Sequence, residues 1–201
     1  ALNNAFVYDG GVCASMFDIK MVRDRLIVTR SFSKSYSMTG FRIGWAVGNT
    51  KLIEVMTNIQ GHETSGPSAL LQHAAVGAIN GVQSSVEGLR ATLENNRNVL
   101  INELRAFEGV TVENPGGTFY SFPDFSNYSK DSVALSKFIL DKVQVLTVPG
   151  REFGMEGHLR LSFCGSIKEI TEGIERIKWA LDPNSPNELY IGERKLVRDW
   201  T

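Results

Sequence analysis

Cysteine is scarce in this chain: only Cys13 and Cys164 occur in 201 residues, far apart, with no C-x-x-C pair and no His-rich stretch beside them. That excludes a disulfide framework and the usual zinc spacings, and it reads as two reduced thiols. Excess charge is lacking too, since 21 Lys and Arg against 22 Asp and Glu leave a formal net charge of −1. Such a balance gives neither a basic stripe for nucleic acid nor a polybasic segment for a membrane surface. All apolar runs are too short for a membrane span, and the first residues carry neither the basic nor the apolar region of a signal peptide, so a cytoplasmic location is expected. Neither G-x-x-x-x-G-K-[ST] nor G-x-G-x-x-G opening a helix occurs, which argues against a nucleotide site.

What is present is an ordinary globular composition, 42% apolar and 21% charged. It suffices for one large domain or two small ones. One stretch stands out: Ser31-Phe32-Ser33-Lys34-Ser35-Tyr36-Ser37-Met38-Thr39-Gly40-Phe41-Arg42-Ile43-Gly44-Trp45. The apolar, β-branched run over 25–29 reads as a strand before it, and residues 43–48 read as a second strand after it. Loops at strand ends are where α/β sheets place ligands, because the scaffold is rigid and the loop backbone is free to bond. By composition alone, Lys34 and Arg42 also fit plain surface cations.

Ser31-Phe32-Ser33-Lys34 followed by Met38-Thr39-Gly40-Phe41-Arg42-Ile43-Gly44-Trp45 resembles the cofactor-lysine signature of the class I and II aminotransferases. These are fold-type I enzymes that use pyridoxal 5′-phosphate (PLP). The resemblance implies Lys34 as the Schiff-base lysine, Arg42 and Ser31 as phosphate ligands, and Ser33 as a further cofactor-binding candidate. The chemistry agrees with these residue types. A lysine amine is nucleophilic once deprotonated, an arginine fork holds two phosphate oxygens at once, and hydroxyls add donors without charge.

The resemblance continues downstream. Gly117-Thr118-Phe119-Tyr120 is similar to the family's G-x-F-Y and implies Phe119 at the substrate pocket. Val148-Pro149-Gly150 and then His158-Leu159-Arg160-Leu161-Ser162 are similar to the segment whose arginine clamps the substrate α-carboxylate, which implies that role for Arg160. On a strand, Arg160 would share a face with His158 and Ser162, opposite Leu159 and Leu161. Thr64 and Ser65 stand in a T-S-x-P loop that lies near the partner subunit's active site in the family.

The implied fold class is α/β: the end of the PLP-dependent transferase large domain, mostly parallel sheet with helices, over 1–83, and a small C-terminal α/β (α+β) domain over 84–181. A linker and charged tail over 182–201 complete the chain. Helical spacing predicts a helix over 51–60 with Leu52, Ile53, Met56 and Ile59 on one face and Met56 in the core. A polar loop is predicted over 61–68, then a helix after Pro67 and a long bridging helix from Ser84, with Glu87 boxing its start. In the small domain a helix is predicted over 132–142, strands at 145–148 and 158–164, and a last helix boxed by Ser166 and Glu169.

The activity implied is transfer of an amino group from an α-amino acid to a 2-oxo acid by a homodimer. Two alternatives stay open: a PLP-dependent lyase of the same fold, and a catalytically silent dimerisation or binding fragment. The positions that should carry the family's D-E-x-Y motif are absent or read Ala1, Leu2 and Asn3. The resemblance therefore implies a C-terminal portion of a longer enzyme, inactive or weak alone.

Overall fold

In a computed structural model that describes residues 6–16, 19 and 24–200, the first strand pair closes around the lysine stretch. Strands β1 (Val28–Ser31) and β2 (Gly44–Val47) run antiparallel, with Val28 opposite Val47 and Ser31 opposite Gly44. Gly44 is required at this rung, because a Cβ there would stand 2.5 Å from the Arg30 carbonyl oxygen. The first strand lies later than its predicted 25–29, since pairing with β2 selects the residues that flank the loop. The stretch 16–25, read from sequence as helix or loop, lies partly outside the described residues.

Helix α1 (Thr50–Thr64) follows, capped by the Asn49 side chain, which accepts from the Lys51 N–H at 3.0 Å. It continues through residues predicted as polar loop and ends on Ser65 in the left-handed conformation, φ 58°. Helix α2 (Ala69–Asn80) starts after Ser68, and α3 (Ser84–Arg105) starts with Gln83 accepting its first backbone bonds. Glu87 pairs with Arg90 at 2.7 Å. The chain divides into two compact units, Ala1–Ala91 and Thr92–Thr201, within α3.

The first unit buries Phe32, Met38, Ile43 and Ala75 as a small cluster flanked by Tyr36, Leu71, Ala74 and Ala78. Met56 is not in a core: α1 buries no residue, and Leu52, Val55, Met56 and Ile59 are all exposed. Helical period identified an apolar face, but period carries no information about what covers it.

In the second unit, β3 (Tyr120–Ser121), α4 (Ser132–Val143), β4 (Val148–Pro149), β5 (Leu159–Ser162) and α5 (Ile167–Leu181) follow α3. Strand β5 is central and pairs antiparallel with β3 on one side and β4 on the other. The α/β class holds, but the strand pairs among the described residues are antiparallel rather than mostly parallel. Loops without a crossover helix join β1 to β2 and β4 to β5, and such connections return the chain antiparallel. Core side chains come from α3, α4, β5 and α5: Leu100 and Leu104, Leu135 and Ile139, Leu159 and Leu161, Ile170, Ile174 and Ile177. Buried Asn96 ties α3 to the chain after β5, donating to the Phe163 and Gly165 carbonyls at 3.0 and 2.8 Å.

Residues read from sequence as linker and tail fold against this unit. Strands β6 (Glu188–Ile191) and β7 (Arg194–Val197) form a hairpin, and Gly192, at φ 59°, opens its two-residue turn. The Trp200 ring packs edge-on against Phe138 of α4 and Trp179 of α5, at centroid distances of 5.6 and 5.4 Å. Lys142 pairs with Asp199 at 2.8 Å, and Arg198 donates to the Asp182 and Trp179 carbonyls. Trp200→Ala should lower the stability of the second unit by about 2 kcal/mol, the scale of a half-buried aromatic truncation. Urea unfolding followed by Trp179 fluorescence measures it, and an unchanged midpoint would mean that the tail does not brace α4 and α5.

The predicted capping box on α5 is present: the Ser166 side chain accepts from the Glu169 N–H at 3.2 Å, and Glu169 accepts from the Ser166 N–H at 2.8 Å. Those bonds from the Ser166 N–H and hydroxyl hold the Glu169 carboxyl below its ordinary value of 4.5. A depressed carboxyl takes its proton more readily in the unfolded chain, so the box stabilises above pH 4.5 and its contribution fades as pH falls through the lower folded value. Ser166→Ala should thus cost a few degrees of melting temperature near neutrality and progressively less in acid, read from melting curves over a pH series.

Candidate active site

The loop between β1 and β2 is shaped from its apolar residues outward. Phe32, buried, donates its N–H to the Ile43 carbonyl at 3.2 Å, and its ring meets Tyr36 at 5.4 Å. Tyr36 in turn donates its hydroxyl to Gln83 at 3.2 Å, and Gln83 caps the end of α2 by donating to the Ala78 and Gly81 carbonyls. With Phe32, Met38 and Ile43 turned inward, Ser31, Lys34 and Arg42 are left exposed and Ser33 half-buried. Lys34 sits on a tight turn closed by the Ser37 N–H on its carbonyl at 3.2 Å.

Ser31 and Ser33 come together, their hydroxyl oxygens 2.8 Å apart, with the Ser33 N–H also donating to the Ser31 oxygen at 3.1 Å. One hydroxyl proton is used within the pair and one remains to donate outward. Arg42 ends the short 3-10 turn Thr39–Phe41 in the left-handed conformation, φ 49°, and gives one N–H to the Thr39 carbonyl at 3.2 Å. The rest of its fork is open among the described residues. A lysine on a tight turn, a hydroxyl pair and an open guanidinium on one loop form a donor set that suits an aldehyde bearing a phosphate.

In the second unit, β5 alternates as its sequence requires: Leu159 and Leu161 are buried, Arg160 is half-buried and Ser162 exposed. Arg160 stands over two rings, with its Cζ 4.3 Å from the Tyr120 centroid and 4.9 Å from that of Phe153. Phe119, the residue taken from the G-x-F-Y pattern, is buried at 7% exposure with its ring 4.3 Å from that of Tyr120. Tyr120 is the member of that pair that reaches Arg160. Tyr120 and Phe153 were not singled out from sequence. Register supplies the missing signal for the first, since Tyr120 lies opposite Ser162, on the face of β5 that carries Arg160.

Phe153 is delivered by the turn Gly150–Phe153. That turn is fixed by the Gly150 N–H on the His158 carbonyl at 2.7 Å, and a Cβ on Gly150 would collide with the His158 and Met155 carbonyls. Ser132, at the start of α4, accepts from the Arg151 N–H and donates to Glu156 at 2.6 Å. The Ser132 hydroxyl and N–H hold the Glu156 carboxyl below its ordinary range. Partial burial pushes the Asp124 carboxyl up, but bonds from Ser126 and the nearby His158 outweigh it and leave the group low. Both acids are thus spent on local partners, and among the described residues no carboxylate lies within ion-pairing distance of Arg160. Ring stacking contributes on the order of 1 kcal/mol per contact to such a cation. It covers the guanidinium without supplying the anion that its edge donors fit.

Thr64 is the last residue of α1 and Ser65 its left-handed cap, so the T-S-x-P pattern marks a helix end here.

An α/β chain with a lysine–hydroxyl–arginine loop and a ring-stacked strand arginine matches known proteins along most of its length. The family profile of aminotransferase class I and II matches residues 5–177, and the chain belongs to that PLP-dependent family. An aspartate aminotransferase of Bacillus sp. (strain YM-2) is 37% identical over 177 residues, 85% of this chain and 45% of that protein. A probable aspartate/prephenate aminotransferase of Aquifex aeolicus is 38% identical over 166 residues, covering 80% of this chain and 42% of its own. Among solved structures, the aspartate aminotransferase from Rhizobium meliloti superposes with a TM-score of 0.85 at 30% identity, over 90% of this chain and 48% of that one. The aromatic aminotransferase from Pyrococcus horikoshii OT3 gives 0.84 at 28% identity, over 88% and 48%. The chain spans about half the length of the curated relatives it matches.

Because the loop hangs on the close approach at Gly44, Gly44→Ala should part β1 from β2 and destabilise the first unit by about 2 kcal/mol, the usual scale of overpacking. Hydrogen exchange at the Phe32 amide, which bonds the Ile43 carbonyl, reads this directly. Exchange as slow as in the wild type would show that the strands accommodate a Cβ.

Proposed function

We propose that these residues serve a PLP-dependent aminotransferase that moves an amino group from an α-amino acid to a 2-oxo acid. The observation that carries the reading is the β1–β2 loop, where Lys34, the Ser31–Ser33 hydroxyl pair and Arg42 stand on one short segment closed at its base. Family membership supports the same reaction class. Bound there, PLP supplies an aldehyde for amine exchange and an electron-withdrawing ring that eases loss of the α-proton.

The chain's own groups have separate tasks. Arg42 grips phosphate oxygens through its open fork, and the serine pair adds a neutral donor. The Lys34 amine would hold the cofactor between turnovers and, once displaced by the substrate amine, would move a proton between the substrate α-carbon and the cofactor carbon C4′ as base and then acid. Arg160, in its own unit, grips the α-carboxylate of the amino acid and of the 2-oxo acid. A two-point grip of that kind fixes the bond that is to be broken. A homodimer belongs to the same proposal, supported by the exposed apolar side chains of α1 and α2, Leu52, Val55, Ile59, Leu70 and Val76 among them.

Incubating the chain with PLP, reducing with borohydride and mapping peptides should place the pyridoxyl group on Lys34, and Lys34→Ala should lose that label. Arg42→Ala should need about tenfold more PLP for equal labelling, the scale of one charge-assisted phosphate contact, and should be indifferent when pyridoxal without phosphate is used. Labelling spread evenly over surface lysines, or an Arg42→Ala defect that persists without the phosphate, would sink the assignment.

A further inference from the structure

Arg160 is half-buried, touches two aromatic rings and has no carboxylate partner among the described residues. Each ring is itself braced. Tyr120 packs on buried Phe119 at 4.3 Å, and Phe153 meets Phe122 edge-on at 5.6 Å, while Phe122 lies 5.1 Å from the His158 ring. The backbone holds the two rings from opposite directions in sequence, Tyr120 from β3 and Phe153 from the turn before β5. Arginine on a strand has four rotatable bonds, and nothing on β5 alone would choose among its rotamers.

The geometry points to Tyr120 and Phe153 as positioning residues: their rings hold the Arg160 guanidinium by its faces and leave its edge N–H donors directed to a planar carboxylate. Stacked rings exclude water from the faces of the cation, which strengthens what the edge then binds and removes the cost of ordering the side chain at the moment of binding. Lysine could not be held in this way, because an ammonium has no plane to stack. The inference rests on the carboxylate role proposed above for Arg160, and it adds the two residues that make that role possible. It also gives Tyr120 a role at Arg160 beside the Phe119 expected from the sequence.

The test is a titration of the full chain with pyruvate, a 2-oxo acid, read from the Arg160 side-chain Nε–H signal in nitrogen–proton NMR spectra and assigned by its loss in Arg160→Lys. The wild type should show one sharp Arg160 signal that shifts with pyruvate. Tyr120→Leu and Phe153→Leu should each broaden that signal and weaken pyruvate binding at least threefold, while Tyr120→Phe and Phe153→Tyr, which keep a ring, should restore both. Far-UV circular dichroism should be the same in all four variants, which separates this outcome from a loss of structure in the second unit. Leucine variants that bind pyruvate as the wild type does, or a wild-type Arg160 signal that pyruvate does not move, would overturn the inference. Failure of Lys34 to take PLP would count against the aminotransferase reading, and that assay is blind to Tyr120 and Phe153.

Discussion

The lysine loop depends on one close approach, that of β2 to β1 where Gly44 lies opposite Ser31 and against the Arg30 carbonyl. With a side chain at position 44 the strands could not meet there, and the Phe32 N–H would lose the Ile43 carbonyl. That closure buries Phe32, Met38 and Ile43, and their burial dictates which residues between them face outward. Ser31, Lys34 and Arg42 are presented because their neighbours are hidden. The left-handed Arg42 backbone costs about 1 kcal/mol for a residue with a Cβ. The turn Thr39–Phe41 and the Thr39 carbonyl together impose it.

The second unit solves a similar problem with a different periodicity. Alternation on β5 sends Leu159 and Leu161 into a core built from α3, α4 and α5, and it sends Arg160 to the other face. The antiparallel partner β3 brings Tyr120 to that face, and the turn before β5 brings Phe153. Two acids of this unit are satisfied elsewhere, Glu156 by Ser132 and Asp124 by Ser126. A half-buried cation is left over two rings and, among the described residues, without a carboxylate partner. That condition costs stability unless an anion is bound at some stage.

Much of this is legible in the sequence where a local rule has a single outcome. The Ser166–Glu169 box and the alternation around Arg160 follow from spacing alone, and both are present. What spacing does not carry is the identity of the partner surface. The run Leu52, Ile53, Met56 and Ile59 has helical period, yet α1 buries none of its residues. G-x-F-Y names two adjacent aromatics, and only strand register shows that Tyr120 shares the face of Arg160. The direction of strand pairing also escaped, because short strands with similar apolar content pair either way and the connection decides. The hairpin over 188–197 did leave a signal: Gly192-Glu193 between two short runs is a two-residue turn with glycine first. Its charged residues masked that pattern.

The two candidate loci therefore differ in how they are prepared. Arg160 is shaped by side chains, ring against ring, within a unit whose core draws on α3, α4, β5 and α5 and whose C-terminal tail is locked by Trp200. Lys34 is shaped by backbone, through a strand rung, two tight turns and a buried phenylalanine, while the helices after it carry apolar side chains in the open. Side-chain preparation fixes a direction of approach, which a carboxylate grip needs. Backbone preparation fixes where a long side chain begins, which suits the cofactor-holding and proton-carrying task proposed for Lys34. Each kind of support thus matches the task proposed for its residue.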